Sequence, residues 1–278
     1  MNRLRDVRQI MPEANQTEVE EEFWEPKTLE AEDSARWALG PLSLWVRRRR
    51  HEWWVYAERD GANDLTMGFS RGRPPKETAA WKRWAFTEGA KTVRMVPVTP
   101  NRSVVARPET GLRIPPGNEV VFFVSIPFWL QIWVGEEQRT LLTEEAPRVL
   151  SNTWFGEPTE GELCYSLKTG ASRSLEGVKR GSYRFVCPLV TTNQSTEELN
   201  FQKVCLPVPY LQLYSGERRL WSNRISLSYL GKSRFSAVAF DPDPPEYENV
   251  HGPLGEPRLR ERKGFFRRSF ESLRTFGF

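Results

Sequence analysis

"EVVFFVSIPFWLQIWVG", residues 119–135, is the longest apolar run in the chain, and its reading decides the fold. A helix that crosses a bilayer needs roughly 20 apolar residues. This run is shorter and contains Ser125, Pro127 and Gln131. Proline lacks an N–H and breaks a helix interior, whereas the β-branched and aromatic residues around it suit a pleated, packed surface. The run therefore predicts two buried strands hinged at Ile126-Pro127, with Gly135 ending the second.

Working outward from that pair, short strand-like runs recur along the chain: LSLWV, EWWVYA, TVRMVPV and SVVARP before it, then RTLLT, ELCYSL, YRFVCPLV, LNFQKVCL, YLQLYS, RISLSYL and FSAVAF after it. Pro-Asn, Pro-Pro-Gly-Asn, Gly-Glu, Thr-Asn-Gln-Ser and Gly-Lys-Ser separate them. Strands at such intervals, punctuated by turn residues, are the pattern of a sandwich or barrel. The expected fold is all-β and β-sandwich-like, as one duplicated or two closely fused antiparallel units. A loose echo of Pro-x-Leu-Gln-φ-aromatic around Trp133 and Tyr214, with a weaker copy around Trp45, motivates the duplication. Only Glu77–Gly89, with AAWKRWAF, reads as an internal helix. The expected organisation is an acidic segment at 1–35, β units at 36–145 and 146–240, a proline-rich linker at 241–257, and a basic tail at 258–278.

Charge separates the ends. Pro12 to Asp33 holds nine acidic residues against Lys27 alone, whereas residues 258–274 hold seven Lys or Arg against two Glu. On a helix, Phe265, Phe266, Phe270, Leu273 and Phe276 would fall within an arc of about 140°. The tail is thus expected to be a short amphipathic helix, suited to an anionic membrane surface, a partner's groove or the chain's own sheet. Arg47–Arg50 and the pI of 9.0 raise nucleic acid as a partner, but a net charge of only +4 argues against it. The arginine run reads instead as an edge strand guarded by charge.

Cys164, Cys187 and Cys205 are three in number and lack CxxC spacing, which fits a reducing cytoplasm and predicts neither a metal nor a cofactor. The N-terminus has no continuous apolar stretch of the kind a signal peptide uses, so an intracellular location is expected.

The most distinctive stretch for function is "NTWFGEPTEGELCYSLKT", residues 152–169. Asn152 opens a turn and Gly156 and Gly161 free the backbone, so Trp154 to Glu162 forms an ordered loop. Beyond it, alternation puts Leu163, Tyr165 and Leu167 on one strand face and Glu162, Cys164, Ser166 and Lys168 on the other. Glu162 lies one step from Cys164, and Lys168 lies about 13 Å away, which disfavours a thiolate. His51 and His251 are the only histidines, and neither is placed to act as a base. The carboxylates of Glu136-Glu137 and Glu144-Glu145 diverge on a strand. No enzyme is expected. The candidate binding surface is Asn152, Trp154, Gly156, Glu162, Lys168 and Arg173, and the same loop would equally serve to bury Trp154 in the core.

"RVLSNTWFGEPTEGELCYSLKTGASR" at 148–173 resembles a signature of an uncharacterised prokaryotic family defined as a domain of unknown function. "PVTPNRSVVARPETGLRIPPGNEVVFFVSIPFWLQI" at 97–132 and "LWSNRISLSY" at 220–229 are similar to the same family, and the resemblance spans about residues 36–240. It supplies no catalytic residues. It implies an association with small mechanosensitive-type channels, and hence a cytoplasmic accessory role at the inner face of the membrane. The resulting expectation is a binding protein with a protein partner, with a small-ligand or carbohydrate binder and a Cys164 enzyme as the alternatives.

Overall fold

A computed structural model describes residues 22–60, 63–74, 80–87, 89–136, 140–231 and 236–260, with the backbone of 266–267. The opening stretch forms two strands, Glu119–Pro127 and Trp129–Val134, that belong to different sheets. Phe128 is the joint, its N–H donated to the Tyr183 carbonyl at 3.0 Å. From Phe122 to Pro127 every residue is buried, so both faces of that strand are covered, as its nearly continuous apolar sequence requires.

Glu119–Pro127 pairs antiparallel with Arg184–Asn193, from Glu119 opposite Thr192 to Pro127 opposite Arg184. On its other side Arg184–Asn193 runs parallel to two strands in succession, Leu220–Ser222 beside Phe185 and Val186, then Ile225–Tyr229 beside residues 189–193. Pro188, with no N–H to give a ladder, lies where one parallel neighbour ends and the next begins. The same sheet continues through Leu213–Gly216 and Val250–His251 on one flank and Ser236–Phe240 on the other.

Trp129–Val134 sits between Thr92–Val98 and Thr140–Glu145 in a four-stranded antiparallel sheet. A five-stranded antiparallel sheet has the order Met67–Arg71, Ser34–Leu39, Leu42–Arg48, Glu52–Arg59, Lys82–Ala85. A second four-stranded sheet joins Ser151–Phe155, Glu162–Ser166, Val104–Ala106 and Val204–Leu206. The inner faces meet in one apolar cluster running from Phe23 to Phe240. Phe122 stacks on Phe201 within it, ring centroids 4.8 Å apart. The fold is all-β and sandwich-like.

Three sequence expectations are corrected. Lys82–Ala85, inside the stretch read as helix, is a strand paired with Glu52–Val55. Trp81 and Trp84 are three residues apart and so mimic a helix face, but Trp84 lies opposite Trp53 across the ladder. Leu42–Arg48 is the middle strand of its sheet, not an edge. Its arginines are tolerated because Arg48 is buried with its guanidinium on the Ala90 and Gly89 carbonyls, while Arg47 and Arg49 pair with Glu32. Finally, Phe266–Arg267 is a two-residue strand antiparallel to Ser236–Ala237, so the tail is not helical there. Phe265, Phe270, Leu273 and Phe276 lie outside the described residues.

Three sheets draw strands from both sides of residue 146: the large sheet, the sheet that carries Ser151–Phe155, and the two-stranded pair of Leu112–Ile114 with Leu199–Phe201. The stretch 241–257 runs along the large sheet: Val250–His251 pairs with Ser215–Gly216, Tyr247 stacks on Trp221 and Glu248 accepts the Trp221 indole N–H. Arg258 then anchors to Glu144 at 2.6 Å and donates to the Thr99 carbonyl.

Candidate functional site

The hairpin formed by Ser151–Phe155 and Glu162–Ser166 carries the stretch 152–166, and its two faces do different things. Directly paired residues share a face, and residues two apart along a strand share it too. Asn152 lies opposite Tyr165 and Trp154 opposite Leu163; Thr153 lies opposite Cys164 and Phe155 opposite Glu162. The first set faces outward at the hairpin tip and the second faces a small second core.

On the outward face, Tyr165 at the base is buried, packing near Trp129 and donating its hydroxyl to Asn101. Toward the tip the sheet runs past the core, leaving Trp154 at 47% and Leu163 at 44% exposure. Trp154 is thus not buried in the core. Its indole N–H reaches the Glu157 carbonyl at 3.1 Å, and the Glu160 and Gly161 N–H groups bond to that same oxygen. Gly161 must be a glycine here because a Cβ would run into the indole and the Phe155 carbonyl. Gly156 has φ of 99°, a left-handed conformation other residues resist. Arg102 lies over the Tyr165 ring and donates to Asn152 Oδ1 at 3.2 Å, fixing the polar side of the patch. Among the described residues, Ser151–Phe155 pairs only with Glu162–Ser166 and is the last strand of its sheet.

The inward face holds Phe155, Val105, Cys164 and Cys205, all buried. The Cys164 and Cys205 sulfurs lie 3.6 Å apart, and Cys205 donates to Glu162 Oε1 at 3.3 Å. Cys205 comes from Val204–Leu206, which reaches the hairpin through Val104–Ala106. The neighbouring Cys164 thiol and burial together push the Cys205 thiol well above its ordinary range, with Ser103 and Lys203 pulling the other way. Among the described residues, Glu162, Cys164 and Cys205 are the group of His, Cys, Asp and Glu side chains that could hold a metal ion.

The structure places Asn152, Trp154, Gly156 and Glu162 of the expected site in one hairpin, with Asn152 and Trp154 on its outward face and Glu162 beside Cys164 on the other. It does not bring in Arg173, which follows Ala171–Ser172 in the large sheet. Lys168 is exposed past the far end of Glu162–Ser166, away from the loop. Sequence reasoning missed Cys205 and Arg102. The signal for Cys205 was its parity: like Cys164, it sits mid-strand on the face opposite its large sequence neighbours. The half-buried Trp54 and Trp81 are not coplanar, their rings tilted by 55°, and Arg83 covers Trp54 at 3.9 Å.

The class of protein is therefore an all-β protein with an edge hairpin that exposes aromatic and aliphatic side chains. Residues 23–275 match the family described as "Protein of unknown function (DUF432)", and the chain belongs to that family. No curated protein and no solved structure matches it. Among the described residues no helix is long and apolar enough to cross a membrane.

Proposed function

We propose that the chain acts by binding rather than by catalysis, as an accessory protein that offers the 151–166 hairpin to a protein partner. The observation that carries this reading is the cross-strand pair Trp154 and Leu163, exposed together beside the outermost strand of its sheet. A partner strand adding to Ser151–Phe155 would gain backbone hydrogen bonds, and the Trp154–Leu163 pair would supply anchoring area. Tryptophan held in one conformation suits this role, since little side-chain entropy is lost on docking. Here the loop carbonyl of Glu157 does the holding.

A cytoplasmic setting at the inner face of the membrane, with a mechanosensitive-type channel as the first partner to test, completes the proposal. The experiment is photo-crosslinking in the native cell, with benzoylphenylalanine placed at residue 154 or, as a control, at the exposed Leu65. Support is an adduct with one identified protein from position 154 alone. No adduct, or the same adducts from both positions, rules the reading out.

A further inference from the structure

We infer that Glu162, Cys164 and Cys205 form a binding site for a thiophilic divalent cation of the zinc class. Zinc bonds thiolate sulfur at about 2.3 Å and carboxylate oxygen at about 2.0 Å, with tetrahedral angles. Those values set a sulfur–sulfur edge of about 3.8 Å and a sulfur–oxygen edge of about 3.5 Å. The corresponding separations in the protein are 3.6 Å between the two sulfurs and 3.3 Å between Cys205 Sγ and Glu162 Oε1. All three ligand atoms fall within 4.8 Å of one another, so rotation of the Glu162 carboxylate closes the remaining edge.

The three ligands stand on strand backbone, not on loops. Glu162 and Cys164 are two residues apart on one face of Glu162–Ser166, and Cys205 projects from Val204–Leu206 beyond the intervening Val104–Ala106. Sites built on paired strands hold their geometry well. Both sulfurs are fully buried, while Glu162 is only partly so and opens the site on one side. Two thiolates and a carboxylate around a dication leave one negative charge, which Lys203, whose charge already acts on Cys205, would partly offset. A water molecule would take the fourth position, as in zinc sites with three protein ligands.

Two sulfur–metal bonds form as two S–H bonds break, and both protons pass to solvent. No electrons move. The cation would staple the hairpin that carries Trp154 to the strand Val204–Leu206, whatever that hairpin binds.

The full chain, purified under reducing conditions and stripped with a chelator, is titrated with cobalt(II). The expected result is one equivalent bound, with a thiolate-to-cobalt charge-transfer band, the strong visible bands of tetrahedral cobalt, and two protons released per metal. Zinc should displace the cobalt. Cys164→Ser and Cys205→Ser should abolish the charge-transfer band, and Cys187→Ser should leave it intact. Glu162→Gln keeps both thiols and changes only a partly exposed side chain, so it guards against loss of folding; it should weaken affinity about tenfold or more. No stoichiometric band from the folded chain overturns the proposal. So does a band that survives Cys164→Ser, or reduced Cys164 and Cys205 thiols that take up no metal.

Discussion

Trp154 and Phe155 are neighbours in sequence on opposite faces of one edge strand, and truncating each should give very different results. Phe155 is 2% exposed against Val105, Cys164 and Cys205. Phe155→Ala leaves a cavity in a small cluster boxed in by three strands, and the expected cost is about 3–5 kcal/mol. Trp154 is 47% exposed. A fully buried aromatic removes 150–250 Å² from water, so half of that, at about 25 cal/mol per Å², gives roughly 2–3 kcal/mol, with about 3 kcal/mol as an upper bound. The indole rests on a surface loop free to relax, and water replaces its bond to Glu157, so the measured loss should be no more than about 2 kcal/mol. Urea unfolding followed by far-ultraviolet circular dichroism measures both, with unchanged slope showing that the same surface unfolds. Equal losses, or a larger loss for Trp154→Ala, would refute the assignment of the two faces.

Other parts of the molecule are equally open to test. Arg184 is buried and donates to Ser125 Oγ, the Ser125 carbonyl and Thr169 Oγ1, so Arg184→Met should cost roughly 2–4 kcal/mol by stranding those acceptors; a loss under about 0.5 kcal/mol would show that they find other partners. Burial pushes the Cys187 thiol up to about 12, so it stays neutral and protected, and thiol reagents at about pH 8 should modify it only after denaturant is added. Because that value is raised, its contribution to stability is complete below about pH 8.5 and is lost as pH climbs toward the folded value. Burial raises the Asp64 carboxyl, but hydrogen bonds from Tyr183, Lys179 and Arg148 more than offset this and hold it below its ordinary value. Its stabilisation is therefore present above the ordinary carboxyl range and lost as acid takes pH through the lower folded value; Asp64→Asn should flatten the urea midpoint between about pH 5 and about pH 2 relative to the parent chain.

Much of the fold was legible because its signals are local. Pro127 interrupts an apolar run at the place where the chain leaves one sheet for another, and the parity of Leu163, Cys164 and Tyr165 follows from strand geometry alone. The failures came where partners are distant. Four successive arginines suggest a solvent edge, yet Arg47, on a central strand, and Arg49, just past its end, lie 5.8 and 4.7 Å from the Trp54 ring, a contact that flat guanidinium groups make well. The tryptophans at 81 and 84 satisfy helical spacing, and only pairing with Glu52–Val55 decides for a strand. Cys205 stands 41 residues from Cys164, and their meeting depends on the parallel pairing of Glu162–Ser166 with Val104–Ala106, a register that no nearby turn specifies. Arg102 reaches Asn152 from 50 residues away through the same pairing.

The most direct test of the central claim is the affinity of the purified crosslinked partner for the parent chain and for Trp154→Ala and Leu163→Ala, each first shown to keep its urea midpoint within the modest shift expected of a surface residue. The account predicts a loss of at least about tenfold for Trp154→Ala, equivalent to about 1.4 kcal/mol, and a smaller loss for Leu163→Ala. Unchanged affinity in both variants would contradict it.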